Sequence, residues 1–386
     1  MEIKEIMKAT SISPENLRAA DLGLKFPGQA GTFNAITDVA GVTVGYTTVI
    51  EGEGKLVVGQ GPIRTGVTAI LPRPVNEIFN PVFAGFFSLN GNGELTGSHY
   101  IEEVGKFSLP ITITNTHACG IARDATISWA EKRFPKHLED SFLLPVSAET
   151  YDGFLNDING SHVTAKYVEQ AIDSAMSGKI CEGSVGGGTG MKSFGFKSGS
   201  GTASRMVKYD DANYTVGTFV QANFGSRTDL IVLGIPVGMQ LSEPKMVRNS
   251  KDLSLSSIIA IIATDAPLLP HQLKRLARRA TFGVGKTGGF ARHGSGDIFL
   301  AFSTGNDLAK VQQPGKVQTS RYIPDEDLDN FFEAVIEATE ESILNSLISN
   351  KSMTGRDCNF VPKLPTDRLI KIISEVHRLS GSKNKI

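Results

Sequence analysis

Leu253-Ser-Leu-Ser-Ser-Ile-Ile-Ala-Ile-Ile-Ala-Thr-Asp-Ala-Pro267 decides how the chain is read. A largely polar loop, residues 242–255, ends abruptly at a continuous run of apolar and β-branched residues, 257–264. A run of that length, bounded by turn residues, reads as a strand in the interior of a sheet. Ser256 and Ser257 stand at the junction. Functional groups tend to collect where a rigid element meets a loop. From spacing alone, the pair is also an ordinary loop end before a strand.

Three more polar clusters sit at strand ends. Arg292-His-Gly-Ser-Gly-Asp297 precedes the buried run 298–303. Gln221-Ala-Asn-Phe-Gly225 closes a strand expected over 214–223, and Ser147-Ala-Glu-Thr-Tyr-Asp-Gly153 follows one expected over 142–146. Further strands are expected at 42–46, 55–58, 65–71, 109–116, 195–197 and 229–235, where β-branched residues recur. Helices are expected at 161–177, capped by Ser161 and stopped by Gly178, and at 270–280, begun by Pro270. Two long amphipathic helices, 325–349 and 366–379, close the chain, and residues 1–35 read as a peripheral helix and loop. Strands fill the body, with helices between and after them. This predicts layers of mixed sheet covered by helices.

Composition narrows the function. The 386 residues include 39 Lys and Arg against 40 Asp and Glu, a formal net charge of -1. That balance gives no electrostatic footprint for a nucleic acid, and Lys274, Arg275, Arg278 and Arg279 read as a solvated helix face. A hydrophobic content of 40% can supply a sizeable core and excludes an acidic disordered chain. The apolar runs 230–239 and 258–263 fall short of the roughly 18 residues a membrane span needs. Residues 1–26 lack an apolar signal-peptide segment. Cys119, Cys181 and Cys358 are widely separated, which predicts no disulfide framework and a cytoplasmic protein. Length alone suggests about two or three domains. The 41 glycines are the outlier; with no G-X-Y period, they serve turns and close backbone approach.

Several motifs fail on context. Gly283-Val-Gly-Lys-Thr-Gly288 matches G-x-G-x-x-G and ends like a Walker A loop, but Ala280 stands where a glycine is needed. A helix also precedes it where a strand is required, so it reads as a structural turn. His117 and Cys119 have no partner pair at ligand spacing, so no metal is expected. There is no G-x-S-x-G nucleophile elbow.

Taken together, the segments resemble the DmpA-type aminopeptidases, the L-aminopeptidase/D-esterase and β-aminopeptidase family of self-processing serine hydrolases. The markers run in one order. They include Asn34-Ala-Ile-Thr-Asp-Val-Ala-Gly-Val-Thr-Val-Gly45, Thr65-Gly-Val-Thr-Ala-Ile-Leu-Pro72, Glu149-Thr-Tyr-Asp-Gly153 and Gly186-Gly-Gly-Thr-Gly190. Ala263-Thr-Asp-Ala-Pro-Leu-Leu-Pro270 and Gly294-Ser-Gly-Asp297 complete them.

The resemblance implies an α+β fold, a four-layer α/β/β/α sandwich like that of N-terminal-nucleophile hydrolases. It implies a single domain, 1–386, cut by itself at Ser256–Ser257 into an α chain, 1–256, and a β chain, 257–386. Ser257 would then be nucleophile, with its freed α-amine as base. Ser295 would hydrogen-bond near it and Asp297 would orient and polarise it. Asn223 would donate to the oxyanion and Tyr151 to the reacting group. Glu149 would hold the substrate's ammonium, and the 186–190 loop, Gly188 included, would let backbone approach. The substrate would be a short peptide, amide or ester with a free amino terminus, turned over through an acyl-enzyme without metal or organic cofactor. The resemblance further implies a homo-oligomer, a tetramer of cleaved heterodimers. Ser256 departs from the glycine or asparagine expected before the nucleophile, which bears on the cleavage rate. Two alternatives are an acyltransferase of the ornithine-acetyltransferase type, with a threonine nucleophile, and an uncleaved non-catalytic homologue.

Overall fold

The computed structural model describes residues 17–137, 142–250, 255–311 and 315–383, so the expected amino-terminal helix lies mostly outside the described residues. Two sheets carry the fold. One is four-stranded: β1 (Thr43–Glu51), β2 (Ile63–Leu71), β5 (Ile111–Asn115) and β6 (Ser147–Thr150), in that order. The other has six strands, in the order β4 (Lys106–Phe107), β3 (Val82–Gly91), β12 (Ser295–Ser303), β11 (Ser256–Thr264), β10 (Ala212–Asn223) and β9 (Ser200–Tyr209). Neighbours are antiparallel except β5 with β6 and β11 with β12. A short hairpin, β7 (Lys192–Ser193) and β8 (Phe196–Lys197), lies beside β10.

Helices α1 (Cys119–Arg133) and α2 (Ala165–Asp173) cover the four-stranded sheet, and α3 (Pro270–Lys286) and α4 (Asp329–Ile348) cover the six-stranded one. The expected α/β/β/α sandwich is therefore the observed one.

The run that opened the reading shows why. Ile259, Ile261 and Ala263 join the core between the sheets, whereas Ile258, Ala260 and Ile262 join the core under α3 and α4. A strand with a core on each face has no polar side to alternate with, which explains its uniformly apolar sequence. Helices reach the sheet closely where side chains are absent. A Cβ on Gly201 of β9 would lie 2.0 Å from the Ser342 carbonyl of α4, and one on Gly85 of β3 would lie 2.3 Å from the Lys274 amide of α3. Gly201→Ala is expected to lower stability by about 1–3 kcal/mol through overpacking, read as a drop in thermal midpoint; an unchanged midpoint would contradict this packing.

Several local expectations are corrected. Residues 55–58 form a turn, held by the Val57 amide bonding to Gly61, because Gly52, Gly54, Gly59 and Gly61 take left-handed conformations. The strand expected at 142–146 begins at Ser147, and 229–235 is a 3-10 turn followed by a single bridge. The helix expected at 161–177 shortens to Ala165–Asp173, since Ser161 has φ 54° and Thr164 takes the cap position. Gly283 to Lys286 lie within the last turn of α3 instead of a loop. β3, β9 and α1 were not anticipated. Among the described residues, no helix is long and apolar enough to cross a membrane.

Candidate active site

The topology explains how distant segments meet. The β11–α3–β12 unit is a parallel crossover, so both strands start at the same edge of the sheet. Their register pairs Ser256 with Ser295, Ser257 with Gly296 and Ile258 with Asp297. β10 is antiparallel to β11 and delivers its carboxyl end to that edge, where Asn223 pairs with Ser257. Four polar clusters separated in sequence thus reduce to one strand edge plus the end of β6.

Alternation along the strands sorts the side chains by face. Phe219, Ile259 and Ile298 point between the sheets. Counting from them, Asn223 and Ser257 share the inter-sheet face, towards β6. Ser256, Ser295 and Asp297 take the opposite face, where they line one small cavity with Val284 of α3. Ser295 and Asp297, two residues apart in β12, share one side. That side is not the side of the Ser257 hydroxyl.

Ser257 is 3% exposed, and its Oγ has no hydrogen-bond partner among the described residues. No side-chain base is therefore hydrogen-bonded to this hydroxyl. Asn223 is oriented from both ends. The backbone N–H of Lys192 donates to its Oδ1 at 3.1 Å, and its Nδ2 donates to the Tyr151 carbonyl at 2.9 Å. The amide flip is thereby fixed, and the second N–H is left for another acceptor. Lys192 carries no side-chain signature of this role, because it acts through its backbone; sequence reasoning missed it.

Asp297 accepts from the Ser295 hydroxyl at 2.6 Å. It also accepts from the Ile258 backbone N–H, and its Oδ2 is buried without a hydrogen-bond partner. Burial pushes its carboxyl up to about 6, against the pull of these two donors. Through the Ile258 N–H the carboxylate abuts the main chain one residue beyond Ser257.

The end of β6 contributes from the other sheet. Gln221 of β10 donates to the Thr114 carbonyl at 3.0 Å and to Thr150 Oγ1 at 2.7 Å, pinning the two sheets together beside the site. Tyr151 follows at once, half-buried. Glu149 is buried, with Oε1 accepting from the Glu94 amide and Oε2 from the Thr116 hydroxyl. Burial raises its carboxyl, and these donors oppose the rise. The position of a Cβ on Gly93 lies 3.2 Å from Glu149 Oε1 and 3.3 Å from the Gly296 Cα, so Glu149 stands one residue's width from the strand partner of Ser257. Asp152, fully buried and pushed up to about 7 by desolvation, receives a hydrogen bond from Asn156. Gly188 packs against the Ser200 backbone of β9; the contacts of its loop brace the sheets.

A cavity of about 480 Å³ opens at this edge, lined among others by Asn223, Phe224, Leu255 and Ser256. Among the described residues, no group of three or more His, Cys, Asp or Glu is arranged to hold a metal.

Relatives share this architecture. A β-peptidyl aminopeptidase of Sphingosinicella microcystinivorans is 48% identical over 99% of this chain and 98% of its own. The L-aminopeptidase D-Ala-esterase/amidase of Ochrobactrum anthropi, described as a prototype serine aminopeptidase and a variant of the Ntn hydrolase fold, superposes with a TM-score of 0.87. It is 45% identical, covering 95% of this chain and 100% of its own. A β-aminopeptidase from Burkholderia superposes with a TM-score of 0.85 at 43% identity, covering 93% and 99%. The pattern of peptidase family S58 spans residues 34–361, which takes in every strand of both large sheets and the edge where Ser257 lies. The chain is a serine aminopeptidase and belongs to peptidase family S58.

Proposed function

We propose that the enzyme matures by cutting Ser256–Ser257 in its single sandwich domain, into residues 1–256 and 257–386, and acts through the amino-terminal Ser257. The observation that carries this is the orphaned Ser257 hydroxyl: a buried nucleophile with no side chain hydrogen-bonded to it. In the cut, Ser257 Oγ attacks the Ser256 carbonyl carbon. The bond to the Ser257 nitrogen breaks as that nitrogen takes up the hydroxyl proton, leaving an ester. Water then hydrolyses the ester to a Ser256 carboxylate and restores the hydroxyl. The freed α-amine, with an ordinary pKa near 8, is the base the precursor lacks.

In turnover, Ser257 Oγ attacks the carbonyl of a short peptide, amino-acid amide or ester with a free amino terminus, and its proton passes to the α-amine. Asn223 donates to the oxyanion. Tyr151 lines the acyl pocket, and Glu149 balances the substrate's ammonium. Gly188 keeps the neighbouring loop close to the β9 backbone. The leaving amine takes the proton, and water releases the acyl group. Ser295 and Asp297 act on the main-chain side: Ser295 orients the carboxylate, whose Oδ2 receives a hydrogen bond from the α-amine. The unpaired cysteines support a cytoplasmic location. The exposed Phe282 and Phe290 around an apolar hollow support a homo-oligomer.

Mass spectrometry of the purified protein tests the reading. A fragment of 130 residues with Ser257 as its amino terminus is expected, and an intact active chain would overturn it.

Asp297 gives a pH signature. Its raised carboxyl favours the protonated form in the fold. Its contribution to stability is therefore full below the ordinary value of 3.8 and is lost as pH rises through about 6. The ionised form is the one that supports the α-amine, so wild-type kcat/KM should fall below about pH 6. Asp297→Asn should lower kcat/KM roughly 10- to 100-fold, flatten that limb, and melt no lower than wild type at pH 7. An unchanged acidic limb would remove Asp297 from this role.

A further inference from the structure

Lys197, the last residue of β8, is fully buried. An amine is costly to bury unless its N–H groups find acceptors. Here Nζ donates to the Met191 carbonyl at 2.7 Å and to the Ser198 carbonyl at 2.7 Å. Burial pushes the ammonium well below the usual lysine range. The neutral amine keeps two N–H bonds, one for each carbonyl, so both contacts survive loss of the charge.

The hairpin explains the reach. Lys197 pairs with Lys192 across β7 and β8, and its own backbone N–H donates to the Pro362 carbonyl at 2.7 Å. With its main chain held there, the side chain meets the carbonyl just before Lys192.

That carbonyl and the Lys192 N–H belong to one peptide group. The N–H donates to Asn223 Oδ1 at 3.1 Å, and Asn223 Nδ2 donates onward to the Tyr151 carbonyl at 2.9 Å. The Ser198 N–H adds a second donation to the Met191 carbonyl at 3.2 Å. A chain of bonds therefore runs from the Lys197 amine through one peptide group to the Asn223 side chain. Donation to an amide oxygen draws electrons from the amide nitrogen and makes its N–H a stronger donor. Successive bonds in such a chain strengthen one another by roughly 10–30% each. Asn223 is itself an amide, so what Oδ1 receives is passed to Nδ2. The same contacts fix the plane of the Met191–Lys192 peptide and hence the direction of its N–H.

We propose that Lys197 is a positioning residue for the oxyanion: it orients and polarises the Met191–Lys192 peptide and, through it, the Asn223 side chain. This rests on the reading of Asn223 as oxyanion donor and deepens it. Lys197 itself touches neither substrate nor nucleophile, and no proton need leave it.

A double-mutant cycle tests the relay. Lys197→Met keeps the unbranched stem and removes both donations. In cleaved enzyme its kcat should fall about 10-fold with KM within about 2-fold, because the oxyanion forms only in the transition state. Added to Asn223→Ala, the same substitution should change kcat by less than about 2-fold, since the relay then has no end to act on. Ser198→Ala is the control for loosening alone. It breaks the buried Ser198–Ser346 hydroxyl contact of 2.9 Å to α4 and leaves the relay intact. It should lower the thermal midpoint and hold kcat within about 2-fold. Where Lys197→Met gives no folded chain, Lys197→Gln carries the same cycle; where a variant yields too little cleaved enzyme, the cycle is read from the rate of self-cleavage. Equal slowing by Lys197→Met in both backgrounds, an unchanged kcat, or an equal loss in Ser198→Ala would overturn the role of Lys197 and leave Asn223 in place. An unchanged kcat in Asn223→Ala alone would overturn the oxyanion reading on which the relay rests.

Discussion

Ser257→Ala is expected to yield one full-length chain of 386 residues, where the proposed self-cleavage of the wild type would yield fragments of 256 and 130. Residual activity should fall on the order of 10⁴- to 10⁶-fold, as when other hydrolases lose their nucleophile. The neighbouring Ser256 cannot take over, because alternation puts its side chain on the opposite face of β11, towards α3. The substitution should not cost stability. The Ser257 hydroxyl is buried without a partner, so removing it relieves an unsatisfied group. The thermal midpoint is expected to equal or exceed that of uncleaved wild type. This separates lost chemistry from lost folding. Ser257→Cys keeps a nucleophile at the position and should retain cleavage at a reduced rate. Continued cutting of Ser257→Ala at the same bond would place the nucleophile elsewhere.

The strand that carries Ser257 was the most legible element, for a physical reason. β11 has apolar layers on both faces, so its sequence is a continuous apolar run that ends where the chain meets solvent. β12 and β10 share that property at their site ends. Other elements hid because their burial uses small or paired groups. β9 reads Ser-Gly-Thr-Ala-Ser-Arg-Met-Val-Lys-Tyr. Gly201 makes room for α4, and the buried Arg205 pairs with Glu341 at 2.8 Å and Glu337 at 3.4 Å. The buried face of α1 carries Cys119, Ala122, Ala125, Thr126 and Ala130 beside a single large apolar residue, Trp129, and so gives little periodic hydrophobic signal. Residue identities singled out segments that the fold brings to one strand edge, but their faces were not legible. Ser295 and Asp297 stand two residues apart and so share one side of β12. Only the register of β12 against β11 turns them towards the main chain of Ser257, away from its hydroxyl. The clamp on Asn223 was invisible because its donor and its acceptor, the Lys192 amide and the Tyr151 carbonyl, are backbone groups.

That clamp sets the size of the second effect. Asn223→Ala is expected to lower kcat about 10²- to 10³-fold, with a much smaller change in KM, as when a single oxyanion donor is removed. The donor acts on charge that develops only in the transition state, so ground-state binding changes little. In the proposed self-cleavage the same donor would serve the Ser256 carbonyl, so maturation should slow in parallel. Both rates are readable on one preparation: the cut by gel against time, turnover per cleaved chain by a chromogenic anilide. Asn223→Asp should be worse than alanine for the chemistry. A carboxylate still accepts from the Lys192 amide, but it faces the Tyr151 carbonyl and the oxyanion with like charge. Truncation also leaves the Lys192 N–H and the Tyr151 carbonyl without their partner, at about 1–3 kcal/mol for each group kept from water. A drop in thermal midpoint is therefore expected beside the kinetic loss. Only the kinetic loss should distinguish aspartate from alanine in this direction. If kcat stays within about 3-fold in cleaved Asn223→Ala, well short of the loss expected for an oxyanion donor, the residue braces the β7–β8 hairpin and the oxyanion must be met by backbone N–H groups.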